Sequence, residues 1–440
     1  MASPRRVLAW ALWDCGSTGL NAIVVTFVFS VYLTKTVGAG LPGATTPASW
    51  LGRALTVAGV TVALFAPVTG VWVDVPRRRR RTLGALTATL VLLTSGMSLI
   101  RADPSYLLAG LALLAFTAAC SDLASVPYNA MLRQLATPET SGRVSGFGWA
   151  AGYVGSVVLL LVVYAGFISG NGPTRGLLHI PAAEGQNVRA AMLMTAAWMA
   201  VFALPVLIAP PPPADIVPET TAESDVAARA AEVTGVLGAY RKLWSDVVAE
   251  WRRDRNVVYY LAASAVFRDG LSGVFTFGAI LGVTVYGISQ ATVLLFGVTA
   301  CAVAAVGAVI GGLLDDHVGS KTVILCSLAS MIALGLALLV LSGSTAFWVC
   351  GLLLCMFIGP TQSSARTLLL RMTAHGKEGV AFGLYTTTGR AVAFLAPWMF
   401  FTFVDAFHTD RAGMGGLLVV LAAGFVAMLL VRAPAAARRP

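Results

Sequence analysis

The chain has 440 residues, 57% of them apolar and only 11% charged, where a water-soluble domain carries roughly 25% charged residues. That balance excludes a soluble enzyme, a nucleic-acid-binding protein and a disordered scaffold. The net charge of +10 fits basic loops on one face of a bilayer and needs no nucleic-acid partner.

A membrane-crossing helix needs about 20 mostly apolar residues, and on that ruler about twelve spans are predicted. The first six run over 7–34, 51–74, 82–100, 105–127, 144–168 and 189–209. The second six run over 257–283, 290–314, 321–342, 345–366, 379–404 and 412–432. The stretch after Arg5 and Arg6 is too long for a cleaved signal core, so it reads as the first span. Between the sets, 210–255 opens with Pro210 to Pro213, whose rings cannot continue a helix. From Val233 to Trp251 apolar residues then return at helical spacing, bordered by Arg241, Lys242, Arg252 and Arg253. Two readings stand there: a helix lying in the membrane interface, or one packed on the bundle ends.

The organisation is thus a first bundle at 1–209, a linker at 210–255 and a second bundle at 256–440. Arg5, Arg6, Arg77 to Arg81, Arg133, Arg143, Lys242, Arg252, Arg253, Lys321, Arg371, Lys377, Arg438 and Arg439 fall on one side. The positive-inside rule makes that side cytoplasmic, with both termini on it. Cys15, Cys120, Cys301, Cys326, Cys350 and Cys355 lie in apolar stretches without metal-ligand spacing. The four histidines fall in loops or at helix ends, and no catalytic or phosphate-cradling motif occurs. No enzyme, metal or cofactor is expected.

The two halves repeat. Asp14-x-x-Ser17 in the first span matches Asp269-x-x-Ser272 in the seventh. Gly70-x-x-x-Asp74 and the arginines after it match Gly312-x-x-x-Asp316 and Lys321. Gly142, Gly146 and Gly152 match Gly379, Gly383 and Gly389. Two six-helix halves with such loops resemble the major facilitator superfamily of secondary transporters. The resemblance implies an all-α integral membrane protein of twelve transmembrane helices in two pseudo-symmetric six-helix bundles, working as a monomer. It also implies a gating set: Gly70, Asp74 and Arg77 in one half, Gly312, Asp316 and Lys321 in the other. A carboxylate there can cap helix ends and pair with basic groups in one conformation.

Three stretches narrow the resemblance. They are Trp13-Asp14 through Phe29 to Tyr32, then Tyr128-Asn129-Ala130-Met131-Leu132 with Gly142 to Gly152-Tyr153, and finally Thr361-Gln362 through Arg366, Arg371, Phe382 to Tyr385, Gly389-Arg390 and Pro397. They are similar to the vacuolar amino-acid effluxers linked to autophagy in fungi, and to bacterial relatives. The chain departs from them at Cys15, Gly16 and Arg268, beside the expected cavity.

A charge at the bilayer centre costs about 2.5–3.5 kcal/mol on insertion scales, so it persists when paired or facing a wet cavity. The candidates are Asp14, Asp122, Arg268, Asp269, Arg366 and Arg390. In such transporters the first helix of each half lines the cavity, which places Asp14 and Asp269 there. Either acid can carry a proton or hold an ammonium group, while Arg366 and Arg390 can grip a carboxylate bidentately. Ser17, Ser272, Asn129 and Gln362 complete the expected substrate and proton site, with Asn21 beside them. Other readings remain open: Asp14 fastening the bundles through an arginine such as Arg390, Asp122 pairing with Arg133 or Arg143, and Trp13 and Trp149 as packing residues.

The expected function is secondary transport of a small zwitterionic solute, amino acids first, by proton-coupled alternating access in the cell membrane. The partners are the solute, protons and the bilayer. An efflux antiporter for drugs or secondary metabolites is the alternative, and a transport-inactive scaffold presenting 210–255 is a third reading.

Overall fold

The computed structural model describes residues 3–39, 46–209 and 255–432, together with Gly238, Tyr240, Arg241, Ser245, Val248 and Arg252. The six isolated positions are helical. Most of the apolar stripe expected between Val233 and Trp251 lies outside the described residues.

Among the described residues, twelve helices are long and apolar enough to cross a bilayer. Spans 1–6 are Pro4–Val37, Pro47–Val73, Pro76–Leu99, Pro104–Leu135, Ser141–Ile168 and Ala183–Ile208. Spans 7–12 are Arg255–Thr284, Leu295–Val318, Ser320–Val340, Ser344–Met372, Glu378–Phe407 and Asp410–Leu430. The first four begin on a proline, whose fixed φ and missing N–H suit the first helical turn. Large apolar side chains such as Leu92 and Val340 stay exposed on the outer surface, as lipid-facing positions require. A small antiparallel pairing of Thr174–Arg175 with Ile180–Pro181 lies between spans 5 and 6.

Several spans outrun their predicted limits at the end carrying the basic loops. Span 8 continues to Val318 and span 10 to Met372, so Asp315, Asp316 and Arg371 are helical. Apolar windows stop at charges, but here those charges are satisfied by neighbours and the helices continue. Span 11 is broken. One helix ends at Val392 and the next begins at Leu395. Pro397 lies in the first turn of the second piece, where its ring opposes the carbonyl of Ala393 four residues back.

The halves meet through span 2 on span 11 and span 5 on span 8. Backbone touches backbone at both seams. A Cβ on Gly70 would lie 2.4 Å from the Gly379 carbonyl oxygen, and one on Gly146 would lie 2.3 Å from that of Ala308. Among the described residues, hydrogen bonds and ion pairs between the halves run from the basic end to about mid-span, the outermost joining Arg390 to Asp122. These contacts close the basic end.

Candidate functional site

The closure consists of two related sets of contacts. Asp74 follows span 2, and its Oδ1 accepts the Val380 backbone N–H at 3.1 Å, in the first turn of span 11. Asp316, near the end of span 8, accepts the Gly142 N–H at 2.8 Å and the Arg143 N–H at 3.2 Å, at the start of span 5. Each acid therefore caps a helix N-terminus of the opposite half, where free N–H groups and the helix dipole favour an anion. The Arg143 side chain adds a 3.0 Å ion pair to Asp316.

Cations reinforce the caps, though not all the expected ones. Arg77 is exposed, while Arg79 is buried at 2% exposure and donates to the carbonyls of Val73 and Ala130. It also pairs with Glu378 at 2.8 Å, and Arg133 meets the same carboxylate at 3.1 Å. Arg133 further donates to the carbonyls of Leu370 and Thr373, and Arg371 reciprocates by donating to that of Pro138. Arg371 also holds Asp315 at 2.5 Å. Lys321 serves elsewhere, donating to the carbonyls of Leu429 and Val431 at the end of span 12. Sequence reasoning therefore missed Arg79, Glu378, Arg371 and Asp315 as members of this set of contacts. One signal was available: Arg79 is the repeat equivalent of Lys321, at the spacing relating Gly70 to Gly312 and Asp74 to Asp316.

Burial pushes the Asp74 carboxyl up to about 7, against the pull of the Val380 N–H, Lys377 and Arg79. Neighbouring Glu378 pushes it the same way as burial.

Above the closed end lies a cluster of charges from both halves. Arg366 of span 10 is 3% exposed and reaches into the first half. Its Nη1 donates to Asn129 Oδ1 at 3.0 Å, Nε to Ser145 Oγ at 3.0 Å and Nη2 to the Ser145 carbonyl at 2.7 Å. Trp10 stacks on Tyr128 with centroids 4.5 Å apart, and the Arg366 guanidinium sits 4.9 Å from the Trp10 ring. Asp14 lies within electrostatic reach of Arg366 and accepts a 3.3 Å hydrogen bond from Thr18. The buried Tyr128 hydroxyl faces both groups and meets hydrogen-bond geometry with neither. At 1.5 Å per residue these charges, with Asp122, Arg390 and Arg268, lie about 10–20 Å in from the closed end. That is near mid-membrane.

Asp122 pairs with Arg390 of span 11, in the opposite half, rather than with Arg133 or Arg143. The helix continues past Asp122 to Leu135, which carries Arg133 away to the closed end, where it pairs with Glu378. Arg390 is thus engaged by Asp122, and Asp14 faces Arg366. Arg268 of span 7 stacks over the Tyr385 ring at 3.7 Å, donates to the Tyr385 carbonyl at 3.0 Å and feels the Asp122 charge.

Asp269 stands apart from this cluster. Its Oδ2 accepts the Ala396 N–H at 2.5 Å, capping the second piece of the broken span 11. Ser272 is exposed, one turn beyond Arg268 on the same helix face. Gln362 is half-buried one turn from Arg366. Ser17 is buried beside Ser121 at 3.4 Å, and Asn21 donates to Ser121 at 2.7 Å. Trp13 donates to Thr87 and is 1% exposed, so it packs. Among the described residues no cluster of histidine, cysteine and acid side chains could hold a metal.

The family described as "Vacuole effluxer Atg22 like" matches residues 40–439. The chain is 20% identical to the uncharacterized MFS-type transporter YxiO of Bacillus subtilis (strain 168), over 96% of this chain and 94% of that one. It is 22% identical to autophagy-related protein 22 of Yarrowia lipolytica, over 64% of this chain and 49% of that protein. Among solved structures it resembles the proton:xylose symporter XylE bound to 6-bromo-6-deoxy-D-glucose, with TM-score 0.71 and 14% identity over 98% of this chain and 96% of that one. It also resembles the transporter FucP in the outward conformation, with TM-score 0.69 and 12% identity over 98% and 99% of the two chains.

Proposed function

Because the chain belongs to the Atg22-like family of major facilitator superfamily transporters, we propose that it moves a small zwitterionic solute, an amino acid or close analogue, by proton-coupled alternating access. The observation that carries this reading is the cluster of acids and arginines near mid-membrane, shared between the halves. The basic loops make the closed end cytoplasmic, so this state faces outward from a cell membrane. The unit is a monomer of two bundles, 1–209 and 256–440, joined by a linker.

A zwitterion suits the cluster chemically. Its ammonium group competes with Arg366 for Asp14, and its carboxylate competes with Asp122 for Arg390. Each exchange loosens a tie between the bundles, with Asn129, Ser145 and the Tyr128 hydroxyl ready to receive the displaced groups. Relaxing those ties lets the bundles rock about the site, while the Asp74 and Asp316 caps decide whether the cytoplasmic end stays shut. Asp14 is the proton carrier in this scheme. Asp269 acts through span 11, holding the break that aims Arg390.

The rival reading, extrusion of amphipathic drugs, calls for accessible aromatic surface. Trp10 and Trp13 are instead fully buried and hydrogen-bonded, which favours the zwitterion. The test is counterflow of a panel of labelled amino acids in proteoliposomes, with and without an imposed pH gradient. Gradient-driven uptake is expected in the parent and lost in Asp14→Asn. Gradient-driven uptake that persists in the variant overturns the proton role, and dye extrusion without amino-acid counterflow overturns the substrate class.

A further inference from the structure

The cluster holds two acids and three arginines. Asp122 is ion-paired with Arg390, and Asp14 balances Arg366. Among the described residues, that leaves Arg268 as the cluster's cation without an ion-paired carboxylate. Its Nη1 bonds the Tyr385 carbonyl and its plane stacks on the Tyr385 ring. Among the described residues Nε and Nη2 meet no acceptor. The neighbouring Asp269 cannot serve, since it lies on a different face of the helix and is taken by the Ala396 N–H.

An uncompensated guanidinium near mid-membrane is unfavourable unless an anion meets it. The surroundings suit a solute rather than a lipid or another side chain. Arg268 is half-buried and near enough to Asp122 of the opposite half to feel its charge. Gly389 faces it so closely that a Cβ would stand 3.1 Å from Nη1, so this glycine keeps the approach clear. Ser272 offers a hydroxyl one turn along the same face. Stacking on Tyr385 fixes the guanidinium plane, which fits the planar, two-pronged geometry of a carboxylate.

We propose that Arg268 binds a second, side-chain carboxylate of the solute, so that the substrate is an acidic amino acid carrying one net negative charge. This rests on the transporter reading above and sharpens its substrate class. The α-ammonium and α-carboxylate use the two acid–arginine pairs, and the extra carboxylate neutralises the third arginine.

The test is counterflow in proteoliposomes containing the full chain, with labelled L-glutamate and L-leucine as probes. The parent is expected to exchange glutamate with an apparent affinity roughly tenfold or more tighter than leucine, as one charge-assisted carboxylate contact allows. The glutamate-to-leucine ratio is expected to fall by about that factor in Arg268→Gln and to recover partly in Arg268→Lys. Melting temperatures of both variants report whether they fold, and the parent's ranking decides the matter if they do not. Leucine exchanged as well as or better than glutamate overturns the proposal while leaving the transporter reading intact. An unchanged ratio in a folded Arg268→Gln protein also overturns it. Exchange of neither probe, or of any other amino acid, overturns both.

Discussion

Arg79 and Glu378, 299 positions apart in the chain, form a 2.8 Å ion pair in which both side chains are buried. The pair joins the start of span 3 to the start of span 11, and so joins one half to the other at the closed end. Arg133 shares the same carboxylate. One acid thus holds two arginines from the opposite bundle.

Removing one partner from a buried pair costs about 3–5 kcal/mol, mostly because the other charge is left without compensation. Glu378→Ala strands Arg79 and Arg133 together, so the closed end is expected to open. Spin-label distances between the basic-end loops of spans 2–3 and 10–11 report this directly. A distance distribution matching the parent's would sink the assignment of Glu378 as a latch.

The Asp74 carboxyl, pushed up to about 7 in the closed state, makes closure sensitive to pH. An acid whose pKa is raised in one state favours that state while protonated. The contribution is complete below the ordinary carboxylate range and is lost as pH rises through about 7. Lys377, Arg79 and Glu378 are the charged groups acting on it. Raising the pH from 5 to 8 is expected to lower the closed-to-open ratio by up to roughly a hundredfold, taking the ordinary carboxylate value for the open state. Asp74→Asn, which keeps an acceptor for the Val380 N–H, is expected to flatten that profile. Single-molecule distance measurements across the pH range decide it, and a variant as pH-sensitive as the parent would refute the role of Asp74.

Glycine substitutions separate the seams from the lipid face. Gly146→Ala places a Cβ 2.3 Å from the Ala308 carbonyl oxygen, with backbone on both sides and nothing flexible to yield. It is expected to cost about 1–3 kcal/mol in the closed state and to shift the bundles apart. Gly59→Ala meets nothing within 4 Å and is expected to be neutral or stabilising by roughly 0.5–1 kcal/mol. Melting temperature and transport rate of the two variants provide the comparison; equal losses would contradict the close-packed seam.

Asp269 and Ala396 define a capped helix start inside the membrane. Asp269→Ala removes the acceptor and is expected to cost about 1 kcal/mol, whereas Asp269→Asn retains most of the stability. Thermal unfolding in detergent measures both. A stable Asp269→Ala protein that has lost transport altogether would return Asp269 to the cavity as a direct ligand.

The twelve spans, the six-plus-six repeat and the placing of Asp14 and Arg366 within spans and of Asp74 and Asp316 at span ends were legible in the amino-acid order. Apolar length, repeated spacing and the cost of a charge in lipid are all written along the chain, and none needs a partner to be known. The pairings were not. Asp122 with Arg390, Arg79 and Arg133 with Glu378, and Asp269 with the Ala396 N–H each join segments brought together by helix packing, so one-dimensional spacing carries no trace of the match. The break in span 11 turned Asp269 from a cavity acid into a helix cap. The repeat matched Lys321 to Arg79, yet their neighbours send one to the end of span 12 and the other across the gate. The sequence determined which charges enter the membrane; the packing of two bundles decided which were neutralised and left Arg268 stacked on Tyr385, without an ion-paired carboxylate among the described residues.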